Sequence, residues 1–317
     1  MNKLFFVSLI SVMLFCCKIQ SQTMTNSAAE IEPGRSIVIS LDDLPMADDT
    51  LSPSMLRINT KKILSALSRH HAVGIGFVNA KKIKKSGPGL ELLKMWVKAG
   101  MELGNHTFSH LDLSETDLKT YEDDILRGEP VIKKLMKSDK LFFRYPFNHT
   151  GLTKEIKQDL EEFLASHGYT IAPFTIEHGD YIFNSVYNNA KAAKDEILAE
   201  KIRQEYLKFL DDIFPYFEQV SKKYLGYEPP QIFLIHASWI NADCLDEMLD
   251  KMEKRGYKFV SMEQALSDKA YQTKDNYTGK YGISWLHRWT LSLGIKMDRK
   301  GELDPPKFIM DLYEAGN

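Results

Sequence analysis

The sequence predicts an α/β fold built on a parallel sheet, either open or closed into a barrel. Two observations predict it. Short apolar runs alternate along the chain with longer stretches of helical periodicity, and polar or charged residues follow directly after most of the apolar runs. Strands that alternate with helices favour parallel pairing, because each crossover helix returns the chain to the same edge of the sheet.

The elements follow from these two periodicities. The predicted strands are the apolar runs at 37–41, 73–78, 101–103, 141–143, 170–174, 232–235 and 258–260. The predicted helices are the amphipathic stretches at 56–68, 90–99, 116–137, 153–167 and 243–255. The main fold is therefore expected to occupy residues 35–268.

Two segments depart from this alternation. A highly charged helical stretch at about 185–228 is interpreted as an insertion, with a kink or break at Pro215 because proline removes a helical hydrogen bond. The tail at 269–317 is aromatic and irregular, and we expect it to pack on the barrel through Trp285 and Trp289.

Composition limits the class of partner. The chain has 317 residues, of which 44% are hydrophobic and 26% charged, as in ordinary globular proteins. A formal charge of -2 gives no reason to expect nucleic acid as a partner. No obvious interface stripe predicts an oligomeric state.

The first residues predict export. Residues 1–22 have a secretory signal pattern, with Lys3 before an apolar core at 4–15 that is too short to span a membrane comfortably. Residues 23–34 are small and polar and predict a flexible leader. Because no second hydrophobic span follows, the mature chain is expected to have no transmembrane span and to be periplasmic or secreted.

The cysteines leave one alternative open. Cys16 and Cys17 allow lipid attachment, which we favour less because the neighbouring Phe15 is bulky. After removal of the signal, Cys244 stands alone, so no internal disulfide and no thiolate zinc site is expected.

Polar residues near the strand ends predict the site. In a parallel barrel the carboxyl ends of the strands face one rim, which is where active sites lie. The residues concerned are Asp42, Asp43, His106, His110, Arg144, Glu177, Asp180 and His236. We expect them to converge on one opening.

Two short patterns suggest a metal. Adjacent aspartates end the first predicted strand in SIVISLDDLP, where a cation offsets their repulsion. The histidines of HTFSH are four residues apart, which on a helical turn places both imidazoles on one face. Two histidines and one carboxylate leave open coordination positions, as a catalytic metal requires.

Five motifs in order resemble the polysaccharide deacetylases, also called carbohydrate esterase family 4 or the NodB homology domain. SLDDLP resembles the family's TFDDGP, HTFSH its H-[ST]-x-x-H, RYPF its R-x-P-[YF], EHGDY its D-x-x-D-W and LIH its L-x-H. The resemblance implies a distorted (β/α) barrel with about seven parallel strands.

The resemblance implies a metal site. Asp43, His106 and His110 would be the ligands. Zinc is the expected ion, with cobalt, nickel or another divalent ion as alternatives.

The resemblance also implies catalytic roles. Asp42 would be the general base, paired with Arg144, and His236 would be the general acid, held in its tautomer by Asp180. The backbone N–H near Phe147 would stabilise the oxyanion of the tetrahedral intermediate.

Three residues depart from the family pattern. Leu44 stands where the family usually has glycine, Phe147 replaces the more usual tyrosine, and Tyr181 replaces a tryptophan. The tryptophan usually forms an apolar wall at the acetyl group, so a more polar pocket is expected around Tyr181.

The expected activity is metal-dependent removal of acetyl groups from a glycan, N-linked in preference to O-linked. Two alternatives remain: an amidase of the same fold that acts on non-sugar C–N bonds, and a non-catalytic glycan-binding protein of the cell envelope.

Four other histidines are assigned no catalytic role. His70 and His71 end a predicted helix and are expected to be solvated. His149 and His178 lie in or next to loops, and a position lining the cleft is the less favoured alternative for each.

Overall fold

Seven strands form one parallel sheet in the computed structural model, which describes residues 34–48, 50–84, 86–136 and 140–316. The strands are β1 (Ser36–Leu44), β2 (Gly74–Val78), β3 (Glu102–Asn105), β4 (Leu141–Phe143), β5 (Tyr169–Ile171), β6 (Gln231–His236) and β7 (Lys258–Phe259). Their order is β5-β4-β3-β2-β1-β6, and β7 pairs with the start of β1. The predicted parallel α/β fold is confirmed. The predicted signal peptide at 1–22 and the leader up to residue 33 lie outside the described residues.

The segment after β5 curls the sheet into a distorted barrel. The predicted strand at 170–174 ends at Ile171, and the chain then crosses to the other end of the sheet. The Ile176 N–H donates to the Ile232 carbonyl at 3.1 Å, the Leu234 N–H donates to the Ile176 carbonyl at 2.9 Å, and Ile176 forms a parallel bridge with Phe233. The resulting shape confirms the distorted (β/α) barrel.

Ten α-helices accompany the strands in the described part of the chain. They are α1 (Pro53–Arg69), α2 (Gly89–Lys98), α3 (Leu118–Met136), α4 (Lys154–Ser166), α5 (Asp180–Ala192), α6 (Glu196–Leu225), α7 (Trp239–Lys254), α8 (Met262–Leu266), α9 (Trp285–Ser292) and α10 (Lys307–Gly316). None of these described helices combines the length and the hydropathy of a membrane-spanning segment.

The charged insertion forms two helices, and the second is not interrupted. The helical pair begins at Asp180, earlier than predicted, and α6 continues through Pro215 without a break. Phe214 and Phe217 beside the proline are buried in the core. Burial of this apolar face offsets the hydrogen bond that the proline removes.

The tail is more regular than predicted. It contains α9 and α10, and it packs against the barrel through Trp285, whose ring lies 5.5 Å from that of Phe174. Arg288 is fully buried and donates to the Asn148 carbonyl at 2.6 Å. The sequence alone did not predict these helices. They are short, and their packing against the rest of the protein stabilises them more than their own residue pattern does.

His70 was predicted to be solvated, and this prediction is wrong. Its side chain is only 9% exposed, and its two ring nitrogens each lie 3.1 Å from a carboxylate oxygen of α7, one from Asp246 and one from Glu253. His71 is exposed, as expected.

Candidate active site

The carboxyl end of β1 places the two aspartates at the barrel rim. Asp42 lies opposite His236 in the register of β1 and β6, and its side chain is buried. Asp43 has a φ of 68° and lies where the register between β1 and β2 shifts, between Leu41 and Leu44. The side chain of Leu44 is accommodated by Gly76 of β2, because a Cβ there would lie 2.3 Å from Leu44 Cδ2.

The two predicted histidines are carried by a loop and not by a helical turn. His106 follows β3, and both Thr107 and His110 have left-handed backbone angles, with φ of 61° and 62°. The hydroxyl of Thr107 accepts from the His110 N–H at 2.9 Å, and both Ser109 N–H and Oγ donate to the Asp124 carboxylate at 2.8 Å. The loop therefore bends back on itself and is fixed to α3.

This bend brings His106, His110 and Asp43 together. Asp43 Oδ1 lies 3.5 Å from His110 Nε2 and 3.9 Å from His106 Nε2, and the three candidate ligand atoms lie within 4.8 Å of one another. Zinc–ligand bonds of about 2.0–2.2 Å separate tetrahedral ligand atoms by roughly 3.4 Å. The spacing fits one ion.

The protonation of these groups also fits a metal. Burial lowers the pKa of both His106 and His110 to about 4, so the imidazoles are neutral at pH 7. His106 Nδ1 lies 2.8 Å from the Arg144 carbonyl, which places its proton there and leaves the Nε2 lone pair for a ligand bond. Within the described residues, the buried Asp43 Oδ1 has no hydrogen-bond partner. The residues present fit a divalent cation.

Lys82 also lies at the site, although no motif pointed to it. Its Nζ lies 3.5 Å from Asp43 Oδ2. Burial raises the pKa of Asp43, but Lys82 and His110 outweigh burial and hold the pKa below its ordinary value. Asp43 is therefore ionised at all pH values of interest.

Asp42 is paired with Arg144, as expected from the motifs. Arg144 Nη1 lies 3.5 Å from Asp42 Oδ1. The fully buried guanidinium is fixed by donation from Nε to the Ala172 carbonyl at 2.7 Å and from Nη2 to Ser40 Oγ at 3.1 Å. Burial raises the pKa of Asp42 and outweighs the lowering by Arg144. Asp42 therefore binds a proton more readily than Asp43 does.

His236 and Asp180 form a hydrogen-bonded pair on the other side of Asp42. His236 Nδ1 lies 2.8 Å from Asp180 Oδ1, and the His236 backbone N–H donates to Oδ2 at 2.7 Å. Burial lowers the pKa of His236, but the charge and hydrogen bond of Asp180 outweigh it and raise the pKa to about 10. Asn241 donates to Asp180 Oδ2 at 2.6 Å and accepts from the Tyr206 hydroxyl. Neither Asn241 nor Tyr206 was predicted.

These groups share a cavity of about 580 Å³. Phe147 and Tyr181 form parts of its wall and are half-exposed. The Phe147 ring lies 4.6 Å from that of His110, and the Tyr181 ring lies 6.5 Å from that of His236. The sequence-predicted site residues thus border one cavity, except Arg144, which is fully buried and does not line it.

Asp48 is a further lining residue that the sequence analysis missed. Its Oδ1 accepts from the side-chain amides of Asn184 at 2.7 Å and Asn188 at 2.6 Å. Its Oδ2 accepts from the Trp239 N–H at 3.0 Å. Asp48 therefore fixes the loop after β1 to α5 and α7. The sequence around Asp48 did not predict this role, because its hydrogen-bond partners are more than 130 residues away.

The two loop histidines differ. His149 lines the catalytic cavity, which was the less favoured alternative, and its Nδ1 lies 2.8 Å from Asp112 Oδ1. His178 does not line it; it is buried against the rings of Tyr206 and Phe233.

Unusual backbone angles are concentrated in these loops. Of the seven described non-glycine residues with positive φ, five lie in the loops that carry the site: Asp43, Thr107, His110, Phe147 and Asn148. Such conformations are uncommon for residues with a Cβ, and they cluster at functional sites.

Comparison with known proteins identifies the family. The family model described as polysaccharide deacetylase matches residues 29–191, half of the chain. The peptidoglycan-N-acetylmuramic acid deacetylase PdaA of Bacillus subtilis is 26% identical over 215 residues, covering 66% of this chain and 67% of that protein. A peptidoglycan-N-acetylglucosamine deacetylase of Bacillus cereus is 24% identical over 235 residues, covering 73% and 87%.

A solved structure has a similar fold. The peptidoglycan deacetylase PdaC of Bacillus subtilis superposes with a TM-score of 0.50 at 20% identity, covering 76% of this chain and 94% of that one. The match of the family model decides the assignment: this chain belongs to the polysaccharide deacetylase family, carbohydrate esterase family 4, and is a carbohydrate deacetylase.

Proposed function

We propose that this protein is an exported, metal-dependent enzyme that hydrolyses the N-acetyl group of an amino sugar within a glycan. The observation that carries the proposal is the meeting of Asp43, His106 and His110 in the same cavity as the Asp42 and His236 pairs. A ligand set beside one candidate base and one candidate acid suits amide hydrolysis.

Asp43, His106 and His110 would hold the ion, most suitably zinc. When bound, the ion supplies Lewis-acid polarisation of the acetyl carbonyl and of a water molecule. Lys82 lies beside Asp43 Oδ2 and reduces the repulsion between this carboxylate and Asp42.

Asp42 is the proposed general base. Arg144 orients its carboxylate, and its raised pKa strengthens it as a proton acceptor for the attacking water. The backbone N–H of Phe147 is proposed to donate to the acetyl oxygen as negative charge develops there.

His236 is the proposed general acid. Asp180 occupies Nδ1, so Nε2 is the atom that gives its proton to the departing sugar nitrogen. With a pKa raised to about 10, the imidazole is protonated at neutral pH and ready to donate. The N-terminus of α5 beside Asp180 stabilises the carboxylate that holds it.

Peptidoglycan is the proposed substrate class. The relatives named above are described as deacetylases of its N-acetylmuramic acid and N-acetylglucosamine residues. The predicted signal peptide agrees with a substrate outside the cytoplasm. Tyr181 gives the wall beside His236 a hydroxyl, which suits a polar sugar as well as an acetyl group.

The test is acetate release from a panel of glycans. The panel contains peptidoglycan strands, β-1,4-linked N-acetylglucosamine oligomers and an O-acetylated plant polysaccharide. We expect release from N-acetylated substrates, loss of release with a chelator, and recovery when zinc is added back.

Two results would contradict the proposal. Binding of a glycan by metal-loaded protein without acetate release would favour the non-catalytic alternative. Hydrolysis of small non-sugar amides without activity on any glycan would favour the amidase alternative.

A further inference from the structure

The loop at 145–150, which carries the proposed oxyanion donor, has an uncommon backbone conformation. Phe147 and Asn148 both have a φ of 55°. Residues with a Cβ keep such angles only where the surrounding structure fixes them. The side chain of Phe147 is 50% exposed, so its own burial is not what fixes the turn. The groups that contact this turn belong to the tail.

Arg288 of α9 is fully buried and connects the tail to the loop. Its Nη2 donates to the Asn148 carbonyl at 2.6 Å, and its Nη1 donates to Thr150 Oγ1 at 3.1 Å. Its Nε donates to the Ile283 carbonyl of the tail at 2.8 Å. A guanidinium carries five N–H donors in a rigid plane. One side chain therefore joins two points of the loop to the tail.

Asp275 balances the buried charge of Arg288. Its Oδ2 accepts from Arg288 Nη1 at 3.3 Å and from Lys157 Nζ, on α4, at 2.8 Å. The guanidinium carbon of Arg288 also lies 3.9 Å from the centre of the Trp285 ring. A guanidinium held by a carboxylate, an aromatic ring and several carbonyls has little freedom to move. It can therefore hold the Asn148 carbonyl in one place.

Gly282 makes a second contact between the tail and the same turn. A Cβ at this position would lie 2.1 Å from the Phe147 carbonyl oxygen, far closer than non-bonded atoms approach. Only glycine therefore lets the tail pass so close to the turn. The tail thus contacts two successive carbonyls of the loop, those of Phe147 and Asn148.

We propose that Arg288 is a positioning residue for the hydrolysis: together with Gly282 it holds the left-handed turn from which the Phe147 N–H reaches the acetyl oxygen. The inference rests on the proposed function, because the role of this N–H is part of that proposal. Both tail residues lie beyond residues 29–191, the range that the family model matches. The tail therefore contributes to catalysis and does not only cover the barrel.

Loss of Arg288 should affect the transition state more than the bound substrate. Negative charge on the acetyl oxygen develops in the transition state, so a displaced N–H donor is missed chiefly there. A misplacement of about 1 Å can cost on the order of 10²-fold in rate. We expect Arg288→Met to lower kcat roughly 10–100-fold, with a much smaller change in KM and with unchanged zinc content.

Gly282→Ala tests the same turn through the other contact. The added methyl group displaces the Phe147 carbonyl, so kcat should fall here as well. The matched control is Gly87→Ala, where the nearest atom to the new Cβ would lie 3.7 Å away, and kcat should stay normal.

Arg255→Met is the matched control for Arg288→Met. Arg255 pairs with Glu218 and follows α7 at the end opposite to Ser238, which lines the catalytic cavity. Its removal costs an ion pair without touching the loop, so kcat should stay normal. Thermal unfolding of each variant identifies loss of folding. Arg288→Lys serves if Arg288→Met does not fold, because one ammonium group cannot replace all the donors of the guanidinium.

Amide hydrogen exchange reports on the turn without any turnover. The Asn148 N–H donates to the Tyr145 carbonyl at 3.0 Å, and the His149 N–H donates to the Pro146 carbonyl at 3.2 Å. These two amides should exchange faster in Arg288→Met than in the unmodified protein, and at the normal rate in Arg255→Met.

A near-normal kcat in Arg288→Met, or an equal fall in Arg255→Met, would overturn the positioning role. Unchanged exchange of the two amides in Arg288→Met would also overturn it, whether or not the protein releases acetate. Absence of acetate release by the unmodified protein would contradict the proposed function alone, so the two failures are distinguishable.

Discussion

Asp42 and Asp43 are neighbours in the chain, but their pKa values are shifted in opposite directions. Burial dominates at Asp42 and raises its pKa, although Arg144 lies 3.5 Å away. At Asp43 the charges of Lys82 and His110 overcome burial and lower the pKa. The environment therefore makes Asp42 the better base and Asp43 the better metal ligand.

Replacement of Asp42 by asparagine separates these roles. Asp42→Asn should retain the metal, because the ligand set is untouched, and lose about 10²–10⁴-fold in kcat, the usual contribution of a general base. Metal content and acetate release are measured on the same sample. Near-normal turnover would show that another group takes the proton.

Asp180→Asn should shift the pH dependence of the reaction. Without the carboxylate, the pKa of His236 falls from about 10 towards its ordinary value, so the protonated acid is lost at lower pH. The alkaline limb of kcat/KM should move down by at least about one pH unit. A pH–rate profile that keeps the alkaline limb of the unmodified enzyme would exclude His236 as the acid.

The motifs led to the residues that border the cavity because most of them, such as Asp42, His106 and His236, lie at or directly after the end of a strand. It did not predict Lys82, Asp48 or Asn241. These residues act through partners distant in sequence, and nothing in their own neighbourhoods distinguishes them from ordinary surface residues.

At the scale of the element, one helix, α3, holds the loop that carries the two candidate metal-binding histidines. The loop at 106–110 depends on α3, where Asp124 accepts from Ser109 and its carbonyl accepts from the Phe108 N–H at 3.0 Å. The structure brings the imidazoles of the predicted pair, His106 and His110, close together, but a loop carries them and not the predicted helical turn. Left-handed angles at Thr107 and His110 aim the imidazoles, and such angles cannot be deduced from residue spacing.

Asp124→Ala should therefore weaken metal binding. Removal of the carboxylate leaves Ser109 without its anchor, and loss of such outer partners typically costs about 10–100-fold in metal affinity. Metal affinity is measured by competition with a chelator. Asp123→Ala, at an exposed position of the same helix, is the matched control and should bind the metal normally. Equal affinities for the two variants would show that the loop does not depend on α3.

At the scale of the molecule, the barrel brings residues more than 190 positions apart into one cavity. β1 and β6 are adjacent in the sheet. Asp42 and His236 therefore lie side by side, although they are 194 positions apart in the sequence (236 − 42 = 194). Alternation of strands and helices was enough to predict the parallel sheet. The course of α6 through Pro215 and the helices of the tail were not predicted, because tertiary packing determines both.

The His236–Asp180 pair should also appear in the pH dependence of folding. The folded-state pKa of about 10 is above the ordinary 6.5, so the pair stabilises the fold fully below pH 6.5 and progressively less as the pH rises through 10. In this window the free energy of unfolding should fall with pH more steeply than in His236→Gln, by up to about 1.4 kcal/mol per pH unit.

Denaturant unfolding of metal-free protein between these pH values measures this difference. His167→Gln, which removes an exposed imidazole, is the control and should behave like the unmodified protein. Parallel pH profiles for the unmodified protein and His236→Gln would contradict the assignment.

The most direct test of the metal site is the metal content of purified His106→Ala. The unmodified protein should carry about one zinc ion per chain, and His149→Ala, which alters the same cavity outside the ligand set, should carry as much. His106→Ala should lose most of its metal and its acetate release together. A variant that retains both would contradict the account.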